Sequence, residues 1–179
     1  GILEHLEKRV HKGIVLAGSC SKATLNQIDV YQKAGHPSFK IDPVALWEGK
    51  VTVEEILSFI RKYPEEYVLV YSSDAAENVR QVQKLGKEQI ASLLETTMGR
   101  IANTLVQEGY QHVIVAGGET SGAVTRMLGF HSFRIGKSVA PGVPMMTPVE
   151  NKDIRLVLKS GNFGQSDFFQ RAIDVVRGE

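Results

Sequence analysis

The chain reads as an α/β domain built on a mostly parallel or mixed sheet, with helices flanking both faces. Two observations carry that expectation. Short β-branched runs alternate along the chain with segments whose apolar residues recur every three or four positions. The runs at residues 14–17, 67–71, 112–116 and 154–158 are apolar at nearly every position, His112 and Arg155 excepted, rather than at alternate ones. Strands of that kind need cover on both faces, as in a parallel sheet between helical layers.

Taken in order, Ile2, Leu3, Leu6 and Val10 fall at helical spacing, so the chain opens in an amphipathic helix. A buried strand follows at 13–17 and runs into Gly18. Leu25, Ile28 and Tyr31 or Gln32 mark a helix that Ala34-Gly35 stops. Residues 36–43 read as a turn, a short strand around 39–41 and a break at Asp42-Pro43. Thr52 stands three residues before Glu55, a capping-box spacing, and begins a helix through Ile56, Leu57 and Ile60 that Pro64 ends. After the strand at 67–71, Ile90, Leu94, Met98, Ile101 and Leu105 define a long helix over 87–108, with Gly109 at its stop. The strand at 112–116 leads into Gly117-Gly118-Glu119-Thr120-Ser121-Gly122, and a helix through Val124, Met127 and Leu128 ends at Gly129. Residues 132–135 form a short strand, and residues 139–148, which hold Pro141, Pro144 and Pro148, a loop. The last strand passes into Lys159-Ser160-Gly161-Asn162-Phe163-Gly164, and Ser166-Asp167 caps a closing helix through Phe169, Ile173 and Val176. No linker or fixed-period repeat interrupts the pattern, so residues 1–179 are read as one domain.

Composition narrows the function classes. With 21 Lys+Arg against 20 Asp+Glu the net charge is +1, too slight a basic excess for an extended nucleic-acid surface. The single Cys20 allows neither an internal disulfide nor a cysteine-rich zinc site. No apolar run approaches the ~20 residues of a membrane span, and no signal peptide is visible, so a cytoplasmic protein without a membrane partner is expected. The opening Gly1-Ile2-Leu3, with no Met and already in a helical pattern, is the mark of a piece of a longer protein.

Ligands of an open parallel sheet collect outside the carboxyl ends of its strands. Three strands end there in similar sequence: Gly18-Ser19-Cys20-Ser21, Gly117-Gly118-Glu119-Thr120-Ser121-Gly122 and Ser160-Gly161-Asn162-Phe163-Gly164. Glycine permits close backbone approach, Ser, Thr and Asn add neutral donors, and the following helices offer free N–H groups to a phosphate. Ser19, Ser21 and Ser166 also suit plain helix caps. Gly117-x4-Gly122 has phosphate-loop spacing, but Ala123-Val124 stands where Lys-Ser/Thr belongs, and no Gly-x-Gly-x-x-Gly follows a strand. A nucleotide bound here is held by another loop set.

The segments Ala116 to Gly122, Arg134-Ile135-Gly136, Ala140-Pro141-Gly142-Val143-Pro144, and Leu158 to Gly164 with Asp167-Phe168-Phe169 resemble the C-terminal nucleotide-binding domain of the four-carbon acid sugar kinases. That family includes kinases of 3-oxo-tetronate, D-threonate and D-erythronate. The resemblance covers nearly the whole chain but only the second half of the family's architecture. It implies that Ser19, with Ser21 as the fallback, contacts ATP. It implies that Gly117, Gly118, Glu119 and Thr120 form the central nucleotide loop, and that Gly161 closes the site. An N-terminal domain absent from this sequence would bind the sugar acid.

Beside the resemblance, individual residues keep two readings each. Glu119 suits Mg²⁺, the metal expected with the nucleotide, or the ribose hydroxyls, or stabilises the next helix start. Lys159 and Lys22 suit phosphate charge, though Lys159 also reads as a solvated strand end. Asn162 suits a base, a phosphate or a left-handed turn position. Asp74 reads as a general base or an ordinary helix start. Trp47 and Tyr31 read as adenine-stacking or packing residues. His5, His11, His36, His112 and His131 show no metal-ligand spacing. Gly117→Val is expected to abolish binding without unfolding the domain, by filling phosphate space. Two function classes remain: the ATP-binding half of a kinase acting on a four-carbon sugar acid, and a nucleotide-binding module with no catalysis of its own. A hydrolase built on Ser19 or Cys20 is disfavoured, because no partnered His is evident.

Overall fold

Residues 11–84 and 86–178 are described by the computed structural model, so the helix expected over residues 2–10 lies outside the described residues. In chain order the elements are β1 (Gly13–Ala17), α1 (Lys22–Lys33), β2 (Ser38–Lys40), α2 (Pro43–Trp47), α3 (Val53–Arg61), β3 (Val68–Tyr71) and α4 (Ala76–Gln83). They continue as α5 (Lys87–Gln107), β4 (His112–Ala116), α6 (Gly118–Leu128), β5 (Phe133–Ala140), β6 (Val143–Pro148), β7 (Arg155–Lys159) and α7 (Phe168–Gly178). The seven strands form one sheet in the order β2-β3-β1-β4-β7-β6-β5. The first five in that order run parallel, and β6 and β5 add an antiparallel edge.

Strand alternation divides the core into two layers. Ile14, Leu16, Val68, Val70, Val113, Val115 and Leu156 face one layer with Ile56, Leu57 and Ile60 of α3, Met98 and Ile101 of α5 and Val124 of α6. Val15, Ala17, Leu69, Ile114, Ala116 and Val157 face the other, with Ile28 and Tyr31 of α1 and Phe168, Phe169, Ile173 and Val176 of α7. Adjacent β1 and β4 therefore send their following helices to opposite faces. The chain diverges beyond their carboxyl ends, Ala17 and Ala116 still being paired, and leaves a crevice there, the switch point where open α/β sheets take ligands.

Two expectations are corrected. Residues 139–148 are not a loop: Ala140 pairs with Val143, and the segment holds the end of β5, a tight turn and all of β6. The prolines misled because proline cannot donate to a ladder, but each stands where no bond is lost. Pro141 lies in the turn, Pro144 opposes Ser138 between two register shifts, and Pro148 opposes Phe133 at the hairpin's open end. Nor is Asp42-Pro43 a plain break. The Asp42 carboxylate accepts hydrogen bonds from the N–H groups of Val44 (2.9 Å) and Ala45 (3.3 Å), and Pro43 opens α2. The capping reading at Thr52 fits the coordinates, its hydroxyl accepting from the Glu55 N–H at 3.2 Å.

Candidate functional site

The three turns meet at one rim because the strand tips are stitched together. Gly18 N–H donates to the Ala116 carbonyl (2.8 Å), and Gly117 N–H donates to the Lys159 carbonyl (2.7 Å). Gly117 has φ +124°, where side chains are strained, and a Cβ there would lie 3.0 Å from Ser19 N and 3.3 Å from Thr120 Oγ1. A Cβ on Gly18 would meet Thr120 Oγ1 at 2.0 Å. The first two turns thus interlock around the buried Thr120 hydroxyl. Glycine at 117 is demanded by the fold itself, which corrects the expectation that Gly117→Val would spare folding.

Gly118 differs. It is exposed, its φ is ordinary, and the nearest atom to an added Cβ is Ser160 Cβ at 4.0 Å. Packing does not require glycine there. It opens α6, so Gly118 to Gly122 form helix rather than the loop their composition suggests. No side chain caps that helix. Its first-turn N–H groups, which no intrahelical carbonyl can reach, are left free at the crevice for an anion.

A cavity of about 320 Å³ opens from these residues. Gly18, Ser19, Cys20, Gly117, Gly118, Glu119 and Thr120 line its glycine-rich part, and Ser72, Asp74 and Asn78 border it from the β3 side. Val79 and Val82 of α4, with Ile90, Ala91, Leu94 and Met98 of α5, form an apolar wall.

Glu95 was not foreseen. It lines the cavity together with Glu119, and burial first and that neighbouring carboxylate second push its carboxyl above the usual range. Its signal lay in the α5 stripe, where Ala91, Leu94 and Met98 leave one carboxylate on an otherwise apolar face. Asp74 accepts from Ala75 N–H (2.8 Å), Asn78 Nδ2 (3.0 Å) and Lys40 Nζ (3.1 Å). The Asn78 bond foremost holds its carboxyl below the usual range, so it is an ionised, occupied group rather than a ready base.

The third turn borders the site without lining the cavity. Ser21 Oγ donates to the Gly161 carbonyl (2.8 Å) and accepts from Thr24 N–H (3.1 Å), so Ser21 is the α1 cap. Lys159 is no solvated strand end: it is 1% exposed, and its Nζ donates to Thr24 Oγ1 and the Gly161 carbonyl, both at 2.8 Å. Burial lowers its pKa to about 8. Gln27 Nε2 fastens the same turn through the Phe163 (3.1 Å) and Gln165 (3.0 Å) carbonyls. Asn162 is exposed and is not the left-handed residue; Gly161, at φ +48°, is.

The stacking candidates fall away from the cavity. Tyr31 is buried against the α7 layer and donates to the Tyr67 carbonyl (2.6 Å), whereas Trp47 is 54% exposed on α2. His112 is buried with the Tyr67 hydroxyl on its Nδ1, and desolvation pushes its pKa down to about 4. Among the described residues no group of three or more His, Cys, Asp and Glu is arranged to hold a metal.

A family model described as "Nucleotide-binding C-terminal domain" matches residues 14–169. The chain belongs to that family. It is 44% identical to a 3-oxo-tetronate kinase of Burkholderia multivorans, over 92% of this chain and 38% of that protein. It is 42% identical to a 3-oxo-tetronate kinase of Pseudomonas fluorescens, over 92% and 38%. In structure it is similar to a Haemophilus influenzae protein solved by crystallography, with TM-score 0.87 and 37% identity over 91% of this chain and 40% of that one. The likeness to the four-carbon acid sugar kinases drawn from the turn motifs holds, as does the α/β fold. The chain spans about two fifths of the length of these relatives. No helix among the described residues is long and apolar enough to cross a membrane.

Proposed function

We propose that this chain is the ATP-binding domain of a kinase that transfers the γ-phosphoryl group to a hydroxyl of a four-carbon acid sugar. One observation carries the reading: an uncapped helix start, α6, opens beside Ser19 at the sheet's switch point. Similarity to proteins named 3-oxo-tetronate kinase supports the choice of acceptor class.

In this reading the first-turn N–H groups of α6 and the Ser19 hydroxyl hold phosphate oxygens, and bare Gly118 leaves them reachable. Thr120 fixes the two turns against each other. Gly161 and Asn162 close the site from the β7 side, with Ser21 bracing that turn. Mg²⁺ is commonly bound through one or two carboxylates plus substrate phosphates. Glu95 and Glu119 both line the cavity beside the phosphate-binding turns, which fits that demand, and these two residues would hold the ion. When bound, Mg²⁺ neutralises phosphate charge.

The acceptor hydroxyl also needs an oriented base. Asp74 is engaged by three donors, so the base and the acid-binding groups are assigned to an N-terminal domain beyond this chain. Residues 1–179 are then one nucleotide-binding domain of a longer two-domain kinase, acting in the cytoplasm where ATP is supplied. Alone, the chain binds nucleotide and phosphorylates nothing.

Calorimetric titration with ATP and ADP, with and without Mg²⁺, is the direct test. Heat with neither nucleotide rejects the site. Joining the upstream region and screening four-carbon acids by ADP release tests the acceptor class; no release with any of them rejects the kinase reading.

A further inference from the structure

The apolar wall of the cavity has no use in holding phosphate or metal. Val79 and Val82 on α4 and Ala91 and Leu94 on α5 are half-buried, with Met98 at 1% exposure behind them, and they surround open space instead of closing on each other. Protein interiors otherwise pack without such voids. A small anionic sugar acid finds no partner on these side chains. A flat heteroaromatic ring does, because it gains contact and desolvation and asks for little charge.

Building on the phosphate placement above, we propose that the slot between α4 and α5 receives the purine base of the donor nucleotide. Glu95 on α5 and Glu119 in the first turn of α6 both line the cavity, at the seam between slot and glycine turns. A nucleotide spanning both parts runs from the slot past this seam, with its phosphates and their ion on the glycine-turn side. The base is thus held by α4 and α5, away from Trp47 and Tyr31, the two aromatic residues that sequence alone offers for stacking.

The test fills the slot from either wall. Ala91→Phe and Val82→Phe each place a ring in the cavity from a half-buried helical position, and unchanged circular dichroism identifies the folded variants. Calorimetry then compares ATP, adenosine and tripolyphosphate. The expected result is that ATP affinity falls about tenfold or more, a modest share of what burying a ring contributes. Adenosine binding is lost, and tripolyphosphate binding stays as in the wild type. Unchanged ATP affinity in a folded variant, or adenosine binding that survives both rings, overturns the slot. So does a wild-type chain that binds tripolyphosphate as tightly as ATP, which leaves the phosphate placement standing. A wild type that binds adenosine in the slot but not tripolyphosphate supports the slot and rejects the phosphate placement. A chain that binds none of the three rejects both.

Discussion

Gly117 and Gly118 are neighbours with opposite duties. At Gly117 any side chain must adopt φ +124° and press on Ser19, so Gly117→Ala is expected to cost about 1–3 kcal/mol of stability, read from denaturant midpoints. At Gly118 the conformation is helical and the space is open, so Gly118→Ala is expected to stabilise by about 0.5–1 kcal/mol. The same methyl should weaken ATP binding in calorimetry. A gain in stability with unchanged affinity would remove Gly118 from the site. Lys159 offers a test through pH. Its folded pKa, about 8, lies below the ordinary 10.5, so the folded chain holds fewer protons than the unfolded chain between those values. Its destabilising effect is therefore fullest below pH 8 and is relieved as pH rises towards 10.5. Lys159→Met should be more stable than wild type at pH 7, with the difference shrinking by pH 10. His112 acts at the other end. Its pKa falls from 6.5 to about 4, so stability drops as pH falls through that window, and His112→Gln should flatten the drop in thermal melts.

At the scale of elements, legibility followed side-chain periodicity. The α5 stripe and the Thr52 cap stood out because repeated apolar spacing and a side chain–backbone bond are both local properties. The helix α4 did not, since Val79 and Val82 are its only branched apolar residues and no side chain caps it. The start of α6 was hidden for the reverse reason: glycines read as loop, yet Gly117 supplies the turn that lets the helix begin at once. Turn chemistry pointed to three turns, and the family resemblance singled out Ser19, Gly117, Gly118, Glu119 and Thr120 within them, all of which line one cavity. It could not separate them from Ser21 and Gly161, whose partners are 140 residues apart in sequence. Glu95 was missed because a lone carboxylate on a helix reads as solvent-facing until the opposite wall is known. If α4 closes one side of the base slot, its amides should exchange with solvent faster than those of α5 in the free chain and slow on addition of ATP. Exchange in α4 that ignores ATP would count against its part in binding.

For the molecule as a whole, the sheet order decides where chemistry can occur. The helices after β1 and β4 leave on opposite faces, so the diverging turns beyond the paired strand ends make the crevice whatever residues line it. The parallel centre was legible from doubly apolar strands, whereas the antiparallel β5–β6 edge was concealed by prolines seated at turn, bulge and strand end. The family resemblance assigned acid binding to an N-terminal domain, and the proposed kinase reading puts the base there too. On that reading, joining the upstream region should create turnover without much change in ATP affinity. A large gain in affinity would mean that the nucleotide is shared between the two parts.

The bonds from Gly18 to Ala116 and from Gly117 to Lys159 carry one further meaning. They tie the spacing of the three turns to that of the main-chain ladder, about 4.8 Å from strand to strand. Drift in the lining side chains can thus retune which nucleobase or acceptor is favoured while the distance across the cleft stays constant, like a jaw whose teeth are replaceable and whose hinge is not.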